Sequence, residues 1–148
     1  MSNNKAIVFG GAGFLGSHVA DSLTKNNYEV TIFDINKSRY KKENQKEIIG
    51  DILDIENVTN ACKGMHYVFH FAGIADLQEA INRPVEAVKA NIIGTTNILE
   101  ACRKNKVDKF LFASTIYVYS NLGSFYKSTK QSCELLIENY NSAYDLNY

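Results

Sequence analysis

Ala6-Ile7-Val8-Phe9-Gly10-Gly11-Ala12-Gly13-Phe14-Leu15-Gly16 decides the reading of this chain, because an apolar run breaks there into a glycine-rich turn. Four consecutive apolar residues suit a strand buried on both faces, as in parallel sheets. Gly10, Gly13 and Gly16 then follow at GxxGxxG spacing. In a strand–turn–helix unit, one such glycine allows the tight turn and another lets a pyrophosphate approach without meeting a Cβ. The third lets the following helix pack close to the sheet. The helix start offers free N–H groups and partial positive charge to phosphate.

Outward from this unit, short apolar segments alternate with longer amphipathic ones. Residues 6–9, 29–33, 47–49, 67–71 and 109–112 read as strands, with the second ending at Asp34. Residues 15–25, 55–62, 84–104 and 125–144 read as helices, the third with Pro84 in a favoured first-turn position. This alternation predicts an α/β fold, a Rossmann-type doubly wound parallel sheet in three α/β/α layers. Ligands of such sheets lie at the carboxyl ends of the strands, where the winding reverses. The glycine turn, Asp34, Asp51, Ala72-Gly73 and Ser114-Thr115 all fall on that edge.

The 148 residues suit one domain. Sixteen basic and sixteen acidic residues cancel, so no global field favours nucleic acid or membrane. The basic stretch from Lys37 to Lys46, interrupted by Glu43, reads as a solvated loop or helix face. Cys62, Cys102 and Cys133 are odd in number and lack metal spacing, so they read as reduced, partly buried residues of a cytoplasmic protein. Met1-Ser2-Asn3-Asn4-Lys5 leads into the first strand without a signal-like segment, and no run reaches the length of a membrane helix.

Asp34 stands 18 residues after Gly16. A carboxylate there can accept hydrogen bonds from both adenosine ribose hydroxyls and repels a 2′-phosphate, which favours NAD over NADP. Lys37 and Arg39 stand near enough to leave NADP open, and Asp34 also suits an ordinary strand-end turn. Asp51 could meet the adenine amino group or cap the next helix, although Asp54 is better placed for the cap. Ala72-Gly73 are small enough for backbone passing beside a nicotinamide ribose.

Tyr126 and Lys130, at i and i+4, share a helix face. A free tyrosine, with a pKa of about 10, is too weak a base at neutral pH. A neighbouring ammonium and a positive nicotinamide ring would favour its phenolate. Ser114 or Thr115 could hold a substrate hydroxyl.

Together these residues resemble the extended short-chain dehydrogenase/reductases, the NAD-dependent nucleotide-sugar epimerase/dehydratase family. The likeness runs from Phe9-Gly10-Gly11-Ala12-Gly13-Phe14-Leu15-Gly16 through Gly50-Asp51-Ile52, Val68-Phe69-His70-Phe71-Ala72-Gly73 and Asn91-Ile92-Ile93-Gly94-Thr95. It closes on Ala113-Ser114-Thr115-Ile116-Tyr117-Val118-Tyr119 and Tyr126-Lys127-Ser128-Thr129-Lys130. The resemblance implies Thr115 as the catalytic hydroxyl, Tyr126 as the base and Lys130 as its partner. It implies a cofactor site from Gly10, Gly13, Phe14, Leu15, Gly16, Asp34, Asp51, Ile52, Phe71, Ala72, Gly73 and Asn91, with Tyr126 and Lys130. It further implies a nucleotide-sugar or other small-molecule substrate, and allows a homodimer through the helices at 84–104 and 125–144. Val85, Val88, Ile92 and Leu99 on one helix, and Leu136 and Tyr140 on the other, form apolar faces that allow that pairing, although a monomer's core needs similar faces.

The chain departs from the family's pattern at several places. Phe9 stands where threonine is usual. Ile116 and Tyr117 replace the Asp-Glu of sugar 4,6-dehydratases, which disfavours dehydration. The loop from Thr115 to Tyr126 is short, and the chain ends where the family's sixth strand and substrate lobe would begin. The expectation is the cofactor-binding part of an epimerase or 4-ketoreductase, inactive alone. The alternatives are a dinucleotide-binding module without turnover, or part of an oxidoreductase for a non-sugar carbonyl. His18, His66 and His70 are expected to be structural, and Tyr140, Tyr144 and Tyr148 to form a packing stripe.

Overall fold

The computed structural model describes residues 4–148; the reading of Met1-Ser2-Asn3 lies outside the described residues. Five strands form one parallel sheet: β1 (Lys5–Phe9), β2 (Glu29–Asp34), β3 (Lys46–Ile49), β4 (Tyr67–His70) and β5 (Lys109–Phe112). Their order across the sheet is β3-β2-β1-β4-β5, so the winding reverses between β1 and β4. In register, Ile7 faces Thr31 on one side and Val68 on the other.

The central strand is apolar throughout its last four residues because both faces are covered. Side chains alternate across the sheet. Ile7 and Phe9 join the larger core with Phe33, Val68, Ile98 and Phe110. Val8 enters a smaller one with Ala20, Val30 and Ile32, beneath α1 (Phe14–Lys25). Phe9, where the family usually carries threonine, is fully buried with its ring centroid 4.8 Å from that of Phe33. The hydroxyl is replaced there by aromatic packing.

Helix α2 (Ile55–Ala61) starts at Asp54, whose carboxylate accepts from the Glu56 and Asn57 N–H groups. The N-cap therefore falls to Asp54, as its position suggests. The segment expected as one helix from Pro84 is three pieces in line: α4 (Pro84–Val88), a π-helical turn (Lys89–Ile93) and α5 (Gly94–Asn105). Ahead of them lies α3 (Leu77–Asn82), which periodicity alone does not reveal. Its signal is local: Asp76 caps it through the Glu79 N–H, an acid three residues before another.

After β5 comes a 3₁₀ turn (Ile116–Tyr119), then α6 (Ser124–Tyr144), which packs against α3, α4 and α5. Asn147 O accepts from Phe110 N at 2.9 Å, so the tail lies along the free edge of β5. The basic stretch is an exposed loop, as expected, yet Ser38 and Gln45 within it are buried. The three cysteines are free and fully buried rather than partly so, and Cys62 and Cys102 are neighbours in the larger core. Leu99 is buried in this core, and Leu136 and Tyr140, partly buried, pack against it. The exposed large apolar residues of those helices are Val85, Val88, Ile93, Phe125, Leu135 and Tyr144. The Tyr140 and Tyr144 rings do pack together, tilted and with centroids 5.4 Å apart, whereas Tyr148 is exposed beyond the helix. Among the described residues, no helix is long and apolar enough to cross a membrane.

Candidate active site

A cleft of about 1120 Å³ opens at the carboxyl ends of β1, β2 and β4, beside the point where the winding reverses. Gly10, with φ +78°, turns the chain out of β1; a Cβ there would lie 2.6 Å from Ala72 N. A Cβ on Gly16 would lie 2.2 Å from Gly10 O, so the start of α1 sits directly on the turn. Gly16→Ala is therefore expected to lower stability by about 3 kcal/mol. A urea titration checks this, and an unchanged midpoint would mean that the turn yields easily.

Gly13 differs from these two. A Cβ there would meet only Gly10 O, at 3.3 Å, so this residue faces the cleft. Gly13 is also the N-cap of α1 and supplies no side-chain acceptor. The helix thus presents its first N–H groups and its positive end to the cleft, a fit for phosphate. Phe14 and Leu15 are exposed at the rim.

Asp34 performs two tasks at the end of β2. Its Oδ2 accepts from Ala12 N at 3.1 Å and its Oδ1 from Asn36 N at 3.0 Å, while the residue lines the cleft. The strand-end turn and a place in the binding wall are both realised in one carboxylate. Lys37, Ser38, Arg39 and Tyr40 continue this wall, and the loop is held from behind. Gln45 donates to Thr24 Oγ1 at 2.9 Å, and Glu47 accepts from Ser38 N at 2.7 Å. Asp51 and Ile52 line the same region, with Asp51 Oδ1 accepting from Leu53 N at 2.9 Å.

A second cavity of about 250 Å³ shares Gly10, Gly13, Phe14, Phe71, Ala72 and Gly73 with the first and reaches Ser114, Tyr126 and Lys130. The glycine turn and the tyrosine–lysine pair therefore lie along one groove. Lys130 is buried; its Nζ donates to Ala113 O at 2.8 Å and stands 4.4 Å from the Phe112 ring centroid. Burial holds this ammonium's pKa below the usual lysine value, while Cys133 and Glu134 oppose the shift.

Tyr126 is half-buried with its ring edge-on to Tyr117. Burial raises its pKa above the ordinary tyrosine value; the Thr115 hydroxyl beside it acts the other way, and Tyr117 adds to the rise. The expected lowering by the neighbouring ammonium is not seen here. Lys130 Nζ, 5.8 Å from the Tyr126 ring centroid, is directed to the Ala113 carbonyl instead. Ser114 and Thr115 differ in their hydrogen bonds. Ser114 Oγ donates to the Glu134 carboxylate, whereas Thr115 lies at Tyr126 and caps the 3₁₀ turn.

Asn91 lies in the π turn and lines neither cavity. Its Oδ1 accepts from Ile74 N at 2.8 Å, and its Nδ2 donates to Ile74 O at 3.0 Å and Thr129 Oγ1 at 2.9 Å. It clamps the backbone after Gly73, where the groove's two ends meet. His70, fully buried, bonds Thr95 Oγ1 through Nε2 at 2.8 Å. His66 Nδ1 accepts from Lys5 N, and His18 packs edge-on to Phe14.

Residues 6–148 match the family described as "NAD dependent epimerase/dehydratase family". Among curated relatives, the chain is 36% identical over 122 residues to the UDP-N-acetyl-alpha-D-glucosaminuronate decarboxylase of Bacillus cytotoxicus, covering 78% of this chain and 37% of that protein. Among solved structures, the UDP-glucose 4-epimerase of Thermotoga maritima with UDP-glucose superposes with a TM-score of 0.90 at 31% identity, covering 96% of this chain and 52% of that one. The UDP-glucose 4-epimerase of Brucella ovis in complex with NAD gives 0.89 at 30%, covering 98% and 50%. The chain thus spans about half, or less, of the length of these proteins.

Proposed function

Because the chain belongs to the NAD dependent epimerase/dehydratase family, we propose that it is the cofactor-binding and proton-transfer part of a nucleotide-sugar epimerase or 4-ketoreductase. The observation that carries this reading is the single groove joining the glycine turn to Tyr126 and Lys130. A dinucleotide-binding module without turnover would not need a tyrosine, a buried lysine and a threonine hydroxyl at the end of that groove.

The residues lining the cleft suit NAD: the start of α1 and Gly13 would hold the pyrophosphate, Asp34 the adenosine ribose, and Asp51 with Ile52 the adenine. Ala72 and Gly73 leave room beside the nicotinamide ribose. NAD, when bound, supplies the hydride acceptor and a positively charged ring. Tyr126 takes the proton from a sugar hydroxyl as hydride leaves the same carbon, and Thr115 steadies the developing charge. In an epimerase, the keto-sugar would be presented by its other face, and Tyr126 would return the proton to its oxygen. Lys130 keeps a positive charge next to the phenol in a site whose burial opposes the phenolate. Ile116 and Tyr117 offer no carboxylate, so sugar 4,6-dehydration is not part of the proposal. A second copy pairing through α4–α6 belongs to it, with Val85, Val88, Ile93 and Leu135 among the exposed apolar residues.

Asp34→Ala is expected to weaken NAD binding about tenfold or more, since it removes both a ribose acceptor and the tie to Ala12. Calorimetric titration with NAD and NADP checks this. An unchanged NAD affinity, or tighter binding of NADP by the unaltered chain, would remove Asp34 from the reading.

A further inference from the structure

Glu134 lies on α6 one turn after Lys130, outside both cavities. Its carboxylate receives the Ser114 hydroxyl, which belongs to the segment leaving β5. Ser114 sits between two groups that the proposed chemistry requires. On one side is Ala113, whose carbonyl accepts from Lys130 Nζ at 2.8 Å; on the other is Thr115, beside the Tyr126 phenol. Few other polar contacts hold this segment. Ala113 N donates to His70 O at 3.1 Å, and Val118 N donates to Thr115 O at 3.3 Å. The first bond holds the segment to β4 and the second lies within the 3₁₀ turn, so neither reaches α6. Beyond Thr115 the turn is tied to α6 by Gln131 Nε2, which donates to Val118 O at 2.9 Å, and by Lys127 Nζ, which donates to Ser120 O; at Ala113 and Ser114 themselves the ties to α6 are Lys130 and Glu134.

We propose that Glu134 is a positioning residue for this site: through Ser114 it clamps the end of β5 to α6, holding the Ala113 carbonyl on the Lys130 ammonium and Thr115 against Tyr126. The proposal rests on the catalytic reading for its purpose, but the clamp itself exists in the free chain. A hydrogen bond to an ionised acceptor is stronger than a neutral one, which suits a tie across partly exposed surface. Gln at this position would still accept the Ser114 hydroxyl, whereas Ala would not. The titratable groups facing the lysine are Cys133 and Glu134 on its own helix, the buried imidazole of His70 and Tyr126; the Phe112 ring and the Ala113 carbonyl complete its surroundings.

The test reads Lys130 in the free chain. A buried ammonium held by a carbonyl exchanges its protons slowly, and nitrogen-15 NMR of the lysine ammonium groups reports it, assigned by its loss in Lys130→Arg. Both Glu134→Ala and Ser114→Ala are expected to speed this exchange about tenfold, and the double variant by no more than either alone. Glu134→Gln is expected to stay within about twofold of the unaltered protein. Thermal melts confirm folding; Ser114 is exposed and Glu134 only half-buried, so these truncations leave the core intact. Unchanged exchange in either alanine variant would overturn the proposal. So would an additive double variant, failure of Gln to rescue, or a Lys130 ammonium that exchanges freely in the unaltered chain. Failure of the catalytic reading would register separately, as absent NAD binding with the Lys130 result intact.

Discussion

Tyr126→Phe is expected to lower turnover about a thousandfold in a protein carrying both this chain and a substrate-binding half. NAD affinity should change by less than about threefold, because the ring and its packing on Tyr117 remain. The size follows from what is lost. Among the described residues that line the second cavity, Tyr126 is the one phenol and Lys130 the one ammonium. Burial already sets the Tyr126 phenol above its ordinary pKa, so the site depends on nearby positive charge to reach the phenolate. Steady-state kinetics with a nucleotide-sugar, paired with NAD titration, checks the prediction. Near-normal turnover would take Tyr126 out of the mechanism.

The second large effect concerns stability in acid. His70 is fully buried, and burial, followed by the Lys130 charge, lowers its pKa from 6.5 to about 3. Thr95 Oγ1 donates its proton to Asn91 O, so His70 must donate through Nε2. Nδ1 is then a bare acceptor without a partner among the described residues. Below pH 6.5 the unfolded chain takes up a proton that the folded protein refuses until about pH 3. The stability is therefore complete above pH 6.5 and is lost as pH falls, at about 1.4 kcal/mol per unit. For a marginally stable domain this is a large part of the total. His70→Asn should flatten the dependence of urea-derived stability on pH between about 6 and 4. Parallel profiles for the two proteins would show that His70 already takes up its proton when folded.

The architecture was legible in the sequence because parallel strands covered on both faces are written as unbroken apolar runs. Ala6 to Phe9 and Glu29 to Phe33 need little context to be recognised. The glycines were equally readable, since backbone contacts of 2.2 to 2.6 Å leave no alternative residue at Gly16 or Gly10. Side-chain direction was harder. Asp34 was legible as a wall residue, but its bond to Ala12 N joins segments 22 residues apart. Leu99, Leu136 and Tyr140 suited either a pairing face or the chain's own core, and they pack on the core; an amphipathic stripe does not say which neighbour it meets. The π turn has no sequence rule; it accompanies the folding of Asn91 back onto Ile74 and Thr129. The Ser114–Glu134 tie was hidden for the same reason, since sequence spacing of 20 residues carries no signal of contact.

The claim on which the account turns is that one dinucleotide lies along the groove from Asp34 to Lys130. Amide chemical-shift mapping of the chain during NAD titration tests it most directly. The account predicts saturation at one equivalent, with shifts at Ala12 to Gly16 and Asp34 to Asn36 that move in step with shifts at Ala113, Tyr126 and Lys130. Shifts confined to one end of the groove, or none at millimolar NAD, would contradict it.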